Sequence, residues 1–144
     1  MLKQLVTAKG FEGGLGGRAW SPGIKVGPWL VMSGLTAIDF ETGQNVGIAP
    51  NSPTTPGKVD PEAQWRKVLD NIKGMVESAG GTMADIVLAN VFVTDIRYYT
   101  EYEWVRKEYF EPPYPVCTAL AVRGLVSPDW ILEIECTAYI EDKD

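Results

Sequence analysis

The fold is decided by one continuous stretch, which reads DPEAQWRKVLDNIKGMVESAGGTMADIVLANVFV at residues 60–93. The pair Asp60-Pro61 provides a helix N-cap and a first helical residue that needs no backbone N–H donor. Apolar side chains then recur at helical spacing and form one stripe: Trp65, Val68, Leu69, Ile72, Met75 and Val76. Gly80-Gly81 supplies the residue type that commonly ends a helix, and the β-branched segment Ile86–Val93 follows. The stretch therefore predicts an amphipathic helix that leads into a central strand.

On both sides of this stretch the sequence predicts further strands and a second helix. Asp95 can cap the second helix, and Pro112-Pro113 ends it. The side chains that share one face of this helix are Tyr98, Tyr102, Val105 and Tyr109. The remaining predicted strands are Lys3–Ala8, Ile24–Val26, Trp29–Ser33, Val116–Val122 and Ile131–Ile140, the second and third of them joined at Gly27-Pro28. This order predicts one α+β domain over residues 1–144, with both helices on the same face of the sheet.

Two segments are predicted to be irregular. Residues 10–23 read GFEGGLGGRAWSPG and form a glycine-rich N-terminal segment, and residues 47–58 carry three prolines and form a surface loop. Gly14 and Gly16 could suggest a phosphate-binding loop, but no strand-loop-helix context follows them because Ser21-Pro22 interrupts the chain. We therefore interpret both segments as loops within a single domain.

The composition excludes several classes of function. The chain has 13 Lys and Arg against 19 Asp and Glu, and its net charge of −6 disfavours binding to nucleic acid. It contains no histidine, which excludes Ser-His and Cys-His catalysis and nearly every common zinc site. We expect no metal and no cofactor. No apolar run reaches the roughly 20 residues of a membrane helix, and the N-terminus lacks a secretory signal, so the sequence predicts a cytoplasmic protein without membrane contact.

The last predicted strand has two different faces. Leu132, Ile134 and Cys136 alternate with Glu133, Glu135 and Thr137, so one face is apolar and the other polar. We expect the apolar face to meet the helices. The polar face would then contact solvent in a monomer or a partner in an oligomer. The two cysteines, Cys117 and Cys136, are predicted to be reduced, buried thiols.

Several motifs between Ser21 and Ile140 resemble the RidA/YjgF family. They are SPGIKVG at residues 21–27, Ser33-Gly34, DNIKGMVESAGGTMADIV with VFVTDI after it, Tyr114-Pro115, and LEIE at residues 132–135. The stretches GGTMADI and GLVSPDWILEI are most similar to the branch of the family tied to pyrimidine breakdown, the RutC-like branch.

The resemblance implies an assembly and a reaction. Members form homotrimers of a chorismate-mutase-like fold, in which antiparallel-rich mixed sheets pack into a central barrel and pockets for a small-molecule substrate lie between subunits. Their best-known reaction is the hydrolysis of enamines and imines, and it uses no cofactor. In typical members the glutamate that positions water falls at Glu133, and a serine that lines the pocket falls at Ser33.

The sequence also departs from the family pattern. Typical deaminating members carry an arginine in a Pro-x-Arg-Ser/Thr motif, where it binds the substrate carboxylate with paired hydrogen bonds. That position falls on Cys117, or on Thr118 if the length difference is placed earlier. A typical tyrosine is replaced by Trp20, and a common asparagine by Glu103. Arg18 or Arg123 could stand in for the missing cation.

Three functions therefore remain open at the level of sequence. The first is a deaminase-type hydrolase with a changed substrate, in which Glu133 orients water, Ser33 and Thr118 donate or accept hydrogen bonds, and Trp20 covers the ligand. The second is a metabolite-binding or regulatory trimer without catalysis. The third makes Cys117 a nucleophile or redox group, although the chain offers no histidine as its base. Ribonuclease activity, an older label for the family, is disfavoured by the acidic charge.

Overall fold

A computed structural model describes residues 2–11, 17–48 and 59–142 of the chain. The predicted first helix is present as α1, Pro61–Ser78. The Asp60 carboxylate accepts a hydrogen bond from the backbone N–H of Ala63 at 3.1 Å, and Gly80 follows the helix with φ of +85°. The predicted aspartate N-cap and the predicted glycine at the end of the helix are thus both confirmed. Gly14, Gly16 and most of the predicted loop at 47–58 lie outside the described residues.

In the part of the chain that the structure describes, six strands form one mixed sheet in the order β1-β2-β3-β6-β4-β5. The strands are β1 Gln4–Val6, β2 Gly23–Val26, β3 Trp29–Met32, β4 Ile86–Val93, β5 Ala119–Ala121 and β6 Leu132–Tyr139. Every neighbouring pair is antiparallel except β4 and β5, which are parallel. The α+β class with a mainly antiparallel mixed sheet is confirmed. The strand predicted over Val116–Val122 is wrong in length, because only Ala119–Ala121 pairs continuously with β4.

The core lies between α1 and one face of the sheet. Trp65, Leu69 and Ile72 from the helix are almost completely buried, as are Ile134 and Cys136 from β6. The apolar set of the last strand therefore meets the helix, as predicted, and the Glu133 set faces away. No helix within the described residues is both long and apolar enough to cross a membrane.

The second helix is much shorter than the sequence predicts. The segment forms one α-helical turn, α2 Arg97–Thr100, followed by a 3₁₀ helix, Glu103–Glu108. The Tyr98 carbonyl accepts a hydrogen bond from the Trp65 indole at 2.9 Å, and the Tyr102 N–H bonds to the Tyr99 carbonyl instead. The α-helical hydrogen-bond pattern is thereby replaced after one turn.

The predicted inner face of this segment is nevertheless retained. Val105 is fully buried, and Tyr98, Tyr102 and Tyr109 are partly buried against the core. Asp95 accepts the Arg97 backbone N–H at 2.9 Å and so satisfies one donor of the first turn.

Candidate functional site

One cleft beside β6 brings together four of the residues predicted for the site. It has a volume of about 310 Å³, and its lining includes Arg18, Trp20, Ser33, Gly34 and Glu133. The first two come from the segment before β2, the next two follow β3, and Glu133 lies on β6. We call this the glutamate cleft. It unites polar groups from three parts of the chain around one carboxylate.

The Glu133 carboxylate is half-buried and lies directly against the backbone of Gly34. A Cβ atom on residue 34 would lie 2.6 Å from Glu133 Oε1 and 2.8 Å from its Cδ, so only glycine allows this approach. Burial raises the pKa of Glu133, and the neighbouring charge of Glu135 raises it further. The site therefore holds a carboxylate that accepts a proton more readily than one in water.

The chain segment after β3 is fixed next to this carboxylate. Leu35 and Ile134 exchange two backbone hydrogen bonds, of 2.8 and 3.1 Å. The buried amide of Asn71 on α1 donates to the Thr36 and Ile38 carbonyls at 2.9 and 2.8 Å. Hydrogen bonds to both the sheet and α1 therefore fix the position of this segment.

Ser33 is held within the same segment. Its hydroxyl donates to the Ser21 carbonyl at 2.6 Å, which occupies its proton and leaves oxygen lone pairs that can accept a hydrogen bond. In this state Ser33 is an acceptor and not a donor toward a ligand.

A second cleft, with a volume of about 170 Å³, contains Cys117 and Glu103 together with an arginine that the sequence interpretation missed. We call it the arginine cleft. Arg106 Nη2 donates to Glu103 Oε2 at 2.7 Å and to the Tyr99 hydroxyl at 2.8 Å, and Nη1 lies 3.3 Å from Cys117 Sγ. Burial lowers the pKa of Arg106, but its hydrogen bonds with Glu103, Cys117 and Tyr99 outweigh this and raise the pKa overall. The guanidinium is therefore charged and fixed.

The remaining predicted residues lie outside both clefts or differ from expectation. Thr118 is exposed, and its N–H donates to Asn90 Oδ1 at 3.0 Å. Arg123 is exposed and lines neither cleft. Cys136 is buried, which raises the pKa of its thiol to about 12, whereas the expectation that Cys117 is buried is wrong. The backbone of Val116 and Thr118 pairs with β4 on either side of Cys117, and the Cys117 side chain is exposed.

Metal ligation finds no support in the part of the chain that the structure describes. Within residues 2–11, 17–48 and 59–142, no three His, Cys, Asp or Glu side chains are grouped so that they could hold a metal ion.

Comparison with known proteins places this fold and these residues in a family. The profile of the Endoribonuclease L-PSP family matches residues 17–140, which is most of the chain. The chain belongs to this family. It is the RidA/YjgF family that the motifs resemble, so the sequence interpretation is confirmed at that level.

Three solved structures show the breadth of the similarity to the RidA/YjgF family. RidA from an Antarctic Psychrobacter is 28% identical with a TM-score of 0.77, over 95% of this chain and 99% of that one. YyfA, a Rid-family protein from Yersinia pestis, is 26% identical with a TM-score of 0.80, over 96% and 100%. Rv2704 of Mycobacterium tuberculosis, from the YjgF/YER057c/UK114 family, is 26% identical with a TM-score of 0.73, over 96% and 100%.

Arg106 is the arginine of the second cleft that sequence reasoning did not find. Its only local signal is its position three residues after Glu103, a spacing that brings side chains together on one helical face. Its approach to Cys117 depends on how the 3₁₀ helix packs beside the chain before β5.

Proposed function

We propose that this protein hydrolyses an imine, an enamine or a related nitrogenous intermediate, as a cytoplasmic homotrimer with sites between subunits. The observation that supports this best is the half-buried Glu133 carboxylate with a raised pKa at the glutamate cleft. Such a group can take a proton from water at a pH where an exposed glutamate is a weaker base.

The reaction needs few groups because a protonated C=N carbon is already electrophilic. Water adds to this carbon through its oxygen while Glu133 takes one of its protons. The resulting carbinolamine takes this proton back on nitrogen. Its C–N bond then breaks as its hydroxyl proton passes to Glu133 and on to solvent, which releases ammonia and a carbonyl compound. Ser33 accepts a hydrogen bond from the substrate or from the water, and Trp20 covers the bound molecule.

The exposed side of the sheet supports the trimer. Trp29 and Val31 on β3 are 46% and 53% exposed, and the Trp29 ring contacts that of Tyr139 with centroids 5.0 Å apart. These side chains share a sheet face with Glu133, and an exposed apolar patch of this kind is typical of an interface. Burying this face in a central barrel would also remove water from around the carboxylate.

The two clefts of one chain share no lining residue among those that the structure describes. The family resemblance nevertheless puts the positions of Cys117 and Glu133 in one pocket. Both statements agree if the glutamate cleft of one subunit meets the arginine cleft of its neighbour. The resemblance to the pyrimidine-breakdown branch remains a prediction about the source of the substrate.

Two measurements test this function. We expect the purified protein to have the mass of three chains in native mass spectrometry. We also expect it to accelerate ammonia release from freshly generated 2-aminoacrylate or from bulkier imines. A strictly monomeric protein, or no acceleration on any of these compounds, would contradict the proposal.

A metabolite-binding trimer is the second candidate, and the pairing of Arg106 with Glu103 favours it. Among the described residues, Arg106 is the only arginine that lines the arginine cleft, and it is already bound to a carboxylate, so the cleft offers no unpaired guanidinium of the kind with which deaminating members bind substrate. A metabolite that raises the melting temperature and is recovered unchanged would support this candidate. Catalytic turnover of that metabolite would exclude it.

We predict that Gly34→Ala nearly abolishes hydrolysis with little effect on stability. The added Cβ would collide with the Glu133 carboxyl group, which is the mobile end of a side chain and can move away. A displacement of about 1 Å can lower a rate by about 100-fold, so kcat/KM for ammonia release should fall by about this factor. Gly124→Ala is the matched control, because a Cβ there meets no atom within 4 Å. Wild-type activity in Gly34→Ala would show that the carboxylate need not lie there.

We also predict the pH dependence of hydrolysis. Because the folded protein raises the pKa of Glu133, kcat/KM should rise with pH through an inflection above the ordinary value of 4.5. Glu135→Gln removes a neighbouring like charge and should move this inflection to lower pH, while burial keeps it raised. An inflection at the ordinary value that does not move in this variant would contradict the assignment.

A further inference from the structure

The charge of Arg106 is balanced by Glu103 within the arginine cleft. The Arg106 side chain is 19% exposed and the Glu103 side chain 40%, and they form an ion pair with an N···O distance of 2.7 Å. Lys107 also lines the cleft, but it is an exposed residue whose charge is screened by water. A ligand that contacts Arg106 therefore also meets the anion of Glu103, with Lys107 as a further, exposed cation in the lining.

We propose that the arginine cleft binds a neutral carbamoyl group, as found in an amide, a urea or a carbamate, and that it discriminates against a carboxylate. The inference rests on the proposed function in that it assigns this group to the substrate of the same intersubunit site. In a carbamoyl group one carbon bears both an acceptor oxygen and an NH2 nitrogen with two N–H donors. The cleft offers one donor and one acceptor side by side.

The donor is Arg106. Its five N–H groups include two on Nη1, of which one can satisfy Cys117 Sγ at 3.3 Å and the other remains for a ligand carbonyl. Nε and Nη2 are directed to Glu103 and Tyr99. The guanidinium is thus oriented before a ligand arrives, and this lowers the entropic cost of binding.

The acceptor is Glu103. Within the described residues Arg106 binds its Oε2 atom, and a carboxylate has a second oxygen with lone pairs that can accept the carbamoyl N–H. A carboxylate ligand in the same place would bring a second negative charge next to Glu103, and like charges placed together oppose binding. The attraction of Arg106 for an anion is offset in this way.

The rest of the lining favours an uncharged group. Ala89, Phe110, Tyr114 and Pro115 contribute mainly apolar surface to this small cleft. Moving an ion out of water into such surroundings costs much more than moving a neutral amide whose hydrogen bonds are satisfied. The small volume of the cleft, its mainly apolar lining and the pairing of Arg106 with Glu103 therefore all favour a small, neutral, polar ligand group.

The test compares two ligands of the same shape. Propionamide and propionate are titrated separately into the intact protein at neutral pH, and dissociation constants are measured from backbone amide shifts in NMR spectra. We expect propionamide to bind at least tenfold more tightly. Comparable or tighter binding of propionate would overturn the proposal, as would the absence of propionamide binding at tens of millimolar.

A charge-neutralising variant then tests the cause of the selectivity. Glu103→Gln keeps an acceptor for Arg106 but leaves the cation uncompensated, so the ratio of the two dissociation constants should shift toward propionate by tenfold or more. Glu101→Gln removes the same charge from an exposed residue outside the cleft and should leave the ratio unchanged. An unchanged ratio in Glu103→Gln would overturn the proposal.

These measurements need no turnover, so they separate the two proposals. Selective binding without ammonia release would leave the carbamoyl assignment intact and contradict the hydrolase. Ammonia release with a preference for propionate would do the opposite.

Discussion

Glu133→Gln should lower the rate of imine hydrolysis by about 10²–10⁴-fold, the contribution that a positioned general base typically makes. The amide keeps the size of the side chain but cannot take a proton from water. The fold should survive. Because the folded protein raises the pKa of Glu133, ionisation of this group opposes folding, and stability is lost as the pH rises from the unfolded toward the folded value. The variant should therefore melt at the same temperature as the wild type at neutral pH, or slightly higher.

The matched control for this variant is Glu135→Gln. Glu135 lies two residues further along β6 on the same sheet face, and it accepts a hydrogen bond from Asn90 Nδ2 at 3.3 Å. Glu135→Gln changes the net charge of the protein by the same amount as Glu133→Gln, but it leaves the proposed base in place. We expect Glu135→Gln to retain most of the activity at neutral pH. Equal activity of Glu133→Gln and the wild type would remove Glu133 from the mechanism.

Trp65→Ala should lower the free energy of unfolding by about 3–5 kcal/mol, the range for a large aromatic residue deleted from a core. Trp65 is fully buried, and its indole donates to the Tyr98 carbonyl at 2.9 Å. The substitution would leave both a cavity and an unpaired carbonyl. Chemical denaturation, followed by far-ultraviolet circular dichroism, measures the loss.

Two further tryptophan variants separate the causes. Trp65→Phe loses the hydrogen bond but keeps most of the ring, so its effect should be clearly smaller. Trp104→Ala removes a tryptophan that is 42% exposed and should cost much less than Trp65→Ala. Equal losses at positions 65 and 104 would mean that the core assignment is wrong.

The parts of the fold that the sequence predicts well are those with a strong local pattern. Residues that are close together in the sequence predict α1 through its apolar stripe, its aspartate cap and the glycines after it. The alternation of apolar and polar residues in β6 predicts which face of the sheet carries Glu133. The second helix could not be predicted in the same way. Its length depends on a hydrogen bond from Trp65, which lies 33 residues away from Tyr98 in the chain.

In the candidate site, too, the residues that lie in a sequence motif could be predicted and the others could not. Glu133, Ser33 and Gly34 were identified because they lie in motifs that resemble a known family. Arg106 lies in no such motif, and its interaction with Cys117 arises only when the 3₁₀ helix packs beside the chain before β5. A local sequence pattern does not contain that contact.

The amide of Asn71 has a consequence for the dynamics of the protein. By holding the carbonyls of Thr36 and Ile38, it makes the backbone next to Glu133 part of the same cooperative unit as the middle of α1. The Leu35 amide, which is bonded to β6, should then exchange its hydrogen with solvent only when the whole domain opens. The carboxylate that we propose as the base would then lie on one of the slowest-exchanging parts of the molecule, and not on a mobile loop.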